Sequence, residues 1–171
     1  MKPIMLAFGF VCVASVLQVA AQSAPAKVEL KDATGKAVGT AVISASSGGV
    51  SIALDVKGVA AGEHAIHVHQ VAKCEGPGFD SAGPHFNPEA KKHGLKNPEG
   101  PHAGDMNNFT VSADGTAKTT VMNSHVTLGA GANSLFTNGG TALVIHANAD
   151  DMKSDPAGNA GGRIACGVIT K

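Results

Sequence analysis

Residues 50–56 read Val-Ser-Ile-Ala-Leu-Asp-Val, with an apolar side chain at every second position and small or polar residues between. Such a period of two is typical of a half-buried antiparallel β-strand, because successive side chains of an extended chain point to opposite faces. Gly48 and Gly49 precede the run and supply a turn. The segment therefore predicts a strand that begins directly after a glycine turn.

Short runs of the same kind lie on both sides of this strand and are separated by glycine-rich turns. No stretch combines helical periodicity with capping residues over a useful length. We therefore expect an all-β fold, a sandwich or barrel of eight strands. The eight runs are residues 28–31, 41–44, 50–56, 65–69, 109–112, 119–122, 141–147 and 163–169.

Length and composition exclude several classes of protein. A chain of 171 residues has room for one ordinary domain, and 43% hydrophobic against 15% charged residues argues for a buried core rather than disorder. The 13 basic and 13 acidic residues balance, and Arg163 is the only arginine. Because nucleic-acid binding requires a basic face with stacking aromatics, we expect no nucleic-acid partner.

The first 21 residues have the pattern of a secretory signal peptide. Lys2 is followed by an apolar run from residue 4 to residue 21, which ends in the small residues Val19-Ala20-Ala21. We expect its removal, leaving residues 22–171 as one exported domain in the periplasm or outside the cell, without stable membrane insertion. A membrane anchor would be near its minimum length. Lipid attachment at Cys12 lacks the preceding small residues.

Cleavage would leave an even number of cysteines, Cys74 and Cys166. Cysteines of an exported chain usually pair, because the compartment is oxidising. Two buried free thiols are the alternative. A bridge would tie the segment after residue 69 to the end of the chain.

Two segments, residues 71–107 and 150–162, interrupt the strands. Both are rich in glycine, proline, asparagine and aspartate and poor in apolar residues. Loops of this length in a compact domain are usually functional or disordered. The first contains several potential metal ligands, so a loop organised around a metal is the better interpretation.

His67 and His69 lie two residues apart in a predicted strand, so both imidazoles face the same side and can reach one metal ion. The pattern alone is weak, since cupins and metallohydrolases share it. A metallo-β-lactamase site would continue with Asp and His, whereas residues 70–72 are Gln-Val-Ala. His146, at the end of another predicted strand, is a plausible third ligand.

A second cluster in the first loop offers three imidazoles and one carboxylate, a complete four-coordinate set suited to structural zinc. Any one of these histidines could be an ordinary solvated side chain, but four ligand-type residues in one loop favour a metal. The cluster consists of His85, His93, His102 and Asp105.

Four motifs together resemble the copper/zinc superoxide dismutases, over residues 27–171. They are Gly-Glu-His-Ala-Ile-His-Val-His at 62–69, Ser-Ala-Gly-Pro-His-Phe-Asn-Pro at 81–88, His-Ala-Gly-Asp at 102–105, and Gly-Asn-Ala-Gly-Gly-Arg-Ile-Ala-Cys-Gly-Val-Ile at 158–169. The resemblance implies a Greek-key β-barrel or flattened sandwich with two functional loops and a Cys74–Cys166 disulfide.

The same resemblance implies one copper and one zinc ion per chain, with His85 bridging the two metals. Asp150 matches an aspartate that links His67 to His93 and so fixes the orientation of both rings. The implied copper ligands are His67, His69, His85 and His146, and the implied zinc ligands are His85, His93, His102 and Asp105.

The implied activity converts two superoxide anions and two protons to oxygen and hydrogen peroxide by alternate reduction and oxidation of copper. His85 would carry a proton, and Arg163 would attract the anion beside copper, an effect that salt weakens. The loop 150–162 is short and contains only one cation, Lys153. The loop therefore carries little positive charge that could steer the anion from a distance.

Two other functions remain as alternatives. A copper-buffering protein could keep the fold without fast turnover, although it would need neither a bridging His85 nor Arg163. A zinc hydrolase using His67 and His69 would need a general base, for which only Glu63 and Glu75 are near in sequence. The sequence is compatible with a homodimer but selects no interface.

Overall fold

The computed structural model describes residues 23–171, so the predicted signal segment and Cys12 lie outside the described residues. Nine strands and two short 3-10 helices, Asp80–Ala82 and Thr137–Gly139, make up the regular structure of this part of the chain. The strands are β1 Ala26–Asp32, β2 Ala37–Ser46, β3 Gly49–Lys57, β4 Gly62–His64, β5 Ile66–His69, β6 Phe109–Val111, β7 Thr116–Asn123, β8 Thr141–His146 and β9 Arg163–Ile169.

The prediction of an all-β fold is confirmed, and each of the eight predicted runs overlaps a strand. The structure has one strand more, β4, which pairs with β6 in a separate two-stranded sheet. Its three residues, Gly-Glu-His, show no apolar alternation, so the sequence pattern had no signal for it. The strand forms because its backbone pairs with Phe109–Val111, and not because its own residues favour an extended conformation.

The remaining strands form one curled antiparallel sheet in the order β5-β8-β9-β1-β2-β3-β7. Ile52 in β3 pairs with Ile43 in β2 on one side and with Val121 in β7 on the other. All three side chains are buried, and within β3 every second side chain is buried, which confirms the alternation predicted for residues 50–56. Burying each such side chain stabilises the fold by about 1.5–3 kcal/mol.

The neighbouring strands β5, β8 and β9 bring the histidines of the sheet together. Ile66 in β5 pairs with Ile145 in β8, and β8 pairs in turn with β9. The register of β8 and β9 shifts between Ile145 and His146, and beyond this bulge His146 lies opposite Arg163. A bulge redirects the side chains next to it. These three strands form one edge of the sheet and carry His67, His69, His146 and Arg163.

The two long loops contact this edge of the sheet. The first is joined to β5 by backbone hydrogen bonds from Val68 to Gly104 and from Phe86 to Val68. Cys74 in the same loop forms a disulfide with Cys166 in β9, which confirms the predicted pairing. Within residues 23–171, no helix has the length and apolar character needed to cross a bilayer.

Candidate metal centre

The first group of potential ligands lies along β5 and at the end of β8. His67 and His69 belong to β5, all of whose residues are buried, and His146 ends β8. His85 joins them from the first loop, because its backbone forms an isolated β-bridge with His69. The ring centroids of His67 and His85 are 4.1 Å apart, and those of His69 and His85 are 4.8 Å apart.

One nitrogen of each of these four rings is buried and has no hydrogen-bond partner. In residues 23–171, the only other such side-chain atom is Ser46 Oγ. The second nitrogen of each ring is held: His67 Nε2 by Asp150 at 2.8 Å, for example, and His69 Nδ1 by the Gly83 carbonyl at 2.8 Å. Each of the four residues offers a ring nitrogen within 4.8 Å of those of the others. The unpartnered atoms are His67 Nδ1, His69 Nε2, His85 Nε2 and His146 Nε2.

A buried polar atom without a partner is destabilising, so four that converge need an explanation. A neutral imidazole nitrogen is also a strong ligand for copper and zinc. Burial, followed by neighbouring rings, lowers the pKa of His69 to about 2. Burial is also the largest cause that lowers the pKa of His85 and of His146, each to about 4. The rings are therefore neutral at pH 7, and this group fits a metal ion.

The second group centres on Asp105, whose side chain is 0% exposed. Its Oδ1 lies 2.9 Å from His85 Nδ1, 3.1 Å from His93 Nδ1 and 3.4 Å from His102 Nδ1. Ligand atoms around a tetrahedral zinc ion are separated by about 3.3 Å, given bonds of about 2.0–2.1 Å. Asp105 Oδ2 accepts hydrogen bonds from the backbone of His102 and Gly94. The spacing and the donor set suit zinc.

His85 belongs to both groups. Its Nε2 is the unpartnered atom of the first group, whereas its Nδ1 faces Asp105 in the second. An imidazole that binds metals through both nitrogens must lose both ring protons, which two nearby cations favour. The structure thus places one ring where it can join two metal sites.

Asp150 links the two groups from the outside. Its carboxylate lies 2.8 Å from His67 Nε2 and 3.0 Å from His93 Nε2, and neither it nor either ring is exposed. Burial raises the pKa of Asp150, but hydrogen bonds to His67 and His93 outweigh it and hold that pKa well below its usual range. Likewise, burial disfavours charge on His93, but hydrogen bonds to Asp105 and Asp150 raise its pKa to about 9.

The structure adds a contact that the sequence motifs do not indicate. Asn108 Nδ2 donates to the Asp150 carbonyl at 3.0 Å, and the Asp150 backbone N–H donates to Asn108 Oδ1 at 2.9 Å. This reciprocal pair anchors the backbone of Asp150 to the chain segment just before β6. Pairing between a side-chain amide and backbone groups 42 residues away leaves no sequence motif.

Arg163 lies half-buried beside the first group. Its Nη1 donates to the Phe79 carbonyl at 2.6 Å and its Nη2 to the Gly83 carbonyl at 2.9 Å. The Gly83 carbonyl also faces His69 Nδ1 at 2.8 Å, so one oxygen joins the guanidinium to a ring of the first group. The carboxylates Glu63 and Glu75 are exposed and belong to neither group, which leaves the hydrolase alternative without a placed base.

An antiparallel β-sheet that carries two adjoining, histidine-rich groups of buried ligands is typical of a metalloprotein, and this chain has both features. The family described as copper/zinc superoxide dismutase (SODC) matches residues 37–169. The protein named superoxide dismutase [Cu-Zn] 2 of Aquifex aeolicus (strain VF5) is 53% identical over 150 residues, 86% of this chain and 88% of the relative. Superoxide dismutase [Cu-Zn] of Caulobacter vibrioides is 41% identical and covers 86% and 85%.

Solved structures of similar fold point to the same family. The Cu/Zn superoxide dismutase from Brucella abortus superposes with a TM-score of 0.71 and 32% identity, covering 85% of this chain and 99% of that one. A SOD-like protein from Bacillus subtilis gives a TM-score of 0.79 and 36% identity, covering 84% and 97%. The chain belongs to the copper/zinc superoxide dismutase family. Membership makes it an oxidoreductase with copper and zinc as its metals.

Proposed function

We propose that this protein converts two superoxide anions and two protons to oxygen and hydrogen peroxide at the first group of histidines. The observation that carries the proposal is the convergence of four buried ring nitrogens without partners. In this assignment copper is held by His67, His69, His85 and His146, and zinc by His85, His93, His102 and Asp105.

The chemistry that copper supplies when bound is a one-electron change of oxidation state, which zinc lacks. The chain must supply the rest: a fixed set of ligands, a proton and a charge that attracts the anion. Asp150 fixes two of the rings, because a carboxylate accepts from the Nε2–H of His67 and of His93. Each of these rings is then left with Nδ1 as its ligand atom.

In this proposal His85 carries a proton. Its Nδ1 side is held among Asp105, His93 and His102, while its Nε2 has no hydrogen-bond partner in the protein and would take up a proton whenever copper does not occupy it. Because the ring is anchored on one side, the proton stays at one fixed position. Peroxide formation consumes protons, and His85 would deliver one of them at the site.

Arg163 supplies the positive charge. Two carbonyls hold its guanidinium beside His69, and it is the only arginine of the chain. Focused positive potential can raise the association rate of a small anion by about 10–10³-fold, and salt weakens the effect. Arg163 would therefore increase the rate of superoxide capture instead of changing the chemistry.

We further propose that residues 1–21 direct export and are removed, leaving residues 22–171 as the working domain in the periplasm or outside the cell. The disulfide supports an oxidising compartment. Relatives include a protein named extracellular superoxide dismutase [Cu-Zn] of Brugia pahangi, 39% identical over 157 residues. A homodimer is the form we propose to test first, by sedimentation of the loaded protein.

The function is tested by measuring superoxide consumption of residues 22–171 loaded with copper and zinc, beside the same protein loaded with zinc alone. We expect fast, copper-dependent decay that salt slows. Arg163→Ala should lower the rate, whereas Lys153→Ala, which removes an exposed cation of the second loop, should change it little. Tight copper binding with no faster decay than zinc alone would favour copper buffering. Anomalous diffraction at the two metal edges tests the ligand assignment.

A further inference from the structure

The carbonyl that holds Arg163 Nη1 belongs to a residue in an unusual conformation. Phe79 has φ 56° and ψ 26°, in the left-handed region. Residues other than glycine occupy this region rarely, and the surrounding structure must then stabilise the conformation. Gly78 is the immediate neighbour, yet the left-handed position itself carries a large aromatic side chain. Glycine would adopt this conformation without strain, so contacts of the Phe79 side chain must stabilise it here.

The Phe79 ring is the largest member of a small apolar cluster that is separate from the main core. It is 2% exposed and packs with residues of β8, β9 and its own loop. Its partners are small, so the aromatic ring is the largest single apolar surface that the cluster buries. They are Ala82, Ala142, Val144 and the two disulfide cysteines, Cys74 and Cys166.

The backbone of Phe79 is fixed as firmly as its ring. Its N–H donates to the Glu75 carbonyl at 3.1 Å, and its carbonyl accepts from the Ala82 N–H at 3.0 Å as well as from Arg163 Nη1 at 2.6 Å. A carbonyl oxygen has two lone pairs, and both are used here. The direction of this carbonyl depends on ψ of Phe79, which the buried ring holds in place.

We propose that Phe79 is a positioning residue for Arg163. Its ring, anchored between the disulfide and β8, keeps the carbonyl aimed at Nη1, so that the guanidinium stays beside His69 and His146 where a small anion would arrive. Loss of the ring would free the carbonyl and let the guanidinium turn towards solvent. This inference rests on the proposed role of Arg163 in attracting the anion.

Nitrogen NMR of the zinc-loaded, copper-free protein tests the positioning directly, because a single arginine gives one unambiguous side-chain spin system. We expect separate, slowly exchanging guanidinium protons in the wild type and an averaged, solvent-like signal in Phe79→Ala. Phe79→Gly tests the anchor: glycine accepts φ 56° without strain but has no ring, so it should behave like Phe79→Ala. A wild-type signal in Phe79→Gly would overturn the proposal.

Azide, a monovalent anion, probes the consequence at the loaded site through the copper absorption band. Phe79→Ala should weaken azide binding by about fivefold or more and flatten the salt dependence of superoxide consumption. Phe79→Leu, which keeps apolar bulk, should stay close to the wild type. Leu135→Ala makes a cavity in the main core and should leave azide binding unchanged. Metal content measured in every variant separates loss of anion binding from loss of metal.

The two proposals fail in different ways. If Arg163→Ala leaves azide binding and rate unchanged, the proposed role of Arg163 is wrong. If Arg163→Ala weakens azide binding but Phe79→Ala and Phe79→Gly do not, only the positioning role is wrong. The double variant Phe79→Ala/Arg163→Ala should bind azide no more weakly than Arg163→Ala alone. If the alanine variant does not fold, Phe79→Gly gives the same comparison, because glycine accepts φ 56° without strain, and unchanged azide binding there would equally refute the role.

Discussion

His67 and Asp150, 83 residues apart in the chain, meet at 2.8 Å between Nε2 and Oδ2, and neither side chain is exposed. The same carboxylate lies 3.0 Å from His93 Nε2. Because both rings present Nε2 to one acceptor, both must carry the proton there and offer Nδ1 as the ligand atom. A single carboxylate thus sets the tautomer of one ring in each candidate metal group.

Asp150→Asn should weaken zinc binding. The asparagine amide has one oxygen that accepts and one NH2 group that only donates. It can therefore accept from one of the two Nε2–H groups, and its NH2 group would face the other. We expect about 10–100-fold lower zinc affinity, measured by competition with a chromophoric chelator. Asp151→Asn is the matched control, since Asp151 is exposed and bonds only within its loop, to Lys153, Ser154 and Asn159. Equal zinc affinity in both variants would contradict the orienting role.

Gly158→Ala should destabilise the protein through Asp150. Gly158 has φ +63°, and a Cβ there would overlap the Asp150 carboxylate and lie 2.7 Å from His93 Nε2. Gly35 also has a positive φ, +83°, but a Cβ there meets nothing within 4 Å. We expect Gly35→Ala to lower the free energy of unfolding by about 1 kcal/mol, the cost of the left-handed backbone, and Gly158→Ala by about 2 kcal/mol or more. Urea denaturation measures both, and equal losses would remove the steric argument.

The metal-free protein should be most stable near pH 6.5. Folding lowers the pKa of His85 and His146 from 6.5 to about 4, chiefly through burial. The unfolded chain then binds more protons between pH 6.5 and 4, so stability falls as the pH drops through this range. His93 is shifted the other way, to about 9, so its contribution is present below pH 6.5 and is lost as the pH rises through 9.

Each of these groups contributes a slope of up to about 1.4 kcal/mol per pH unit. The measurement is urea denaturation in the presence of a chelator at pH 4.5, 6.5 and 8.5. A free energy of unfolding that is the same at pH 4.5 and 6.5 would show that the rings of His85 and His146 are not buried in neutral form.

Removing the disulfide should cost about 2–5 kcal/mol of stability, because the bridge closes a loop with a sequence separation of 92 residues. Unfolding with and without a thiol reductant measures the loss. The variant Cys74→Ala/Cys166→Ala should already be destabilised and should no longer respond to the reductant. If the reductant destabilised both proteins equally, the effect would not come from this bridge.

The strand pattern and the residue types at the metal groups could be predicted because both are local. Alternation in residues 50–56 follows from the period of an extended chain, and β3 confirms it. Resemblance in four motifs identified the family, which the comparisons confirm. The assignment of individual metal ligands stays a prediction, although the structure brings the proposed residues together in two groups.

The amino-acid order determined which side chains are available and, through the family motifs, which ligands to expect together, whereas only the tertiary structure decided the contacts outside those motifs. β4 exists only because β6 lies beside it, and the Asn108 clamp on Asp150 joins segments 42 residues apart. The Phe79 carbonyl reaches Arg163 across 84 residues. The physical reason is that hydrogen bonds and packing depend on distance in space, and periodicity along the chain carries no information about which loop crosses which strand.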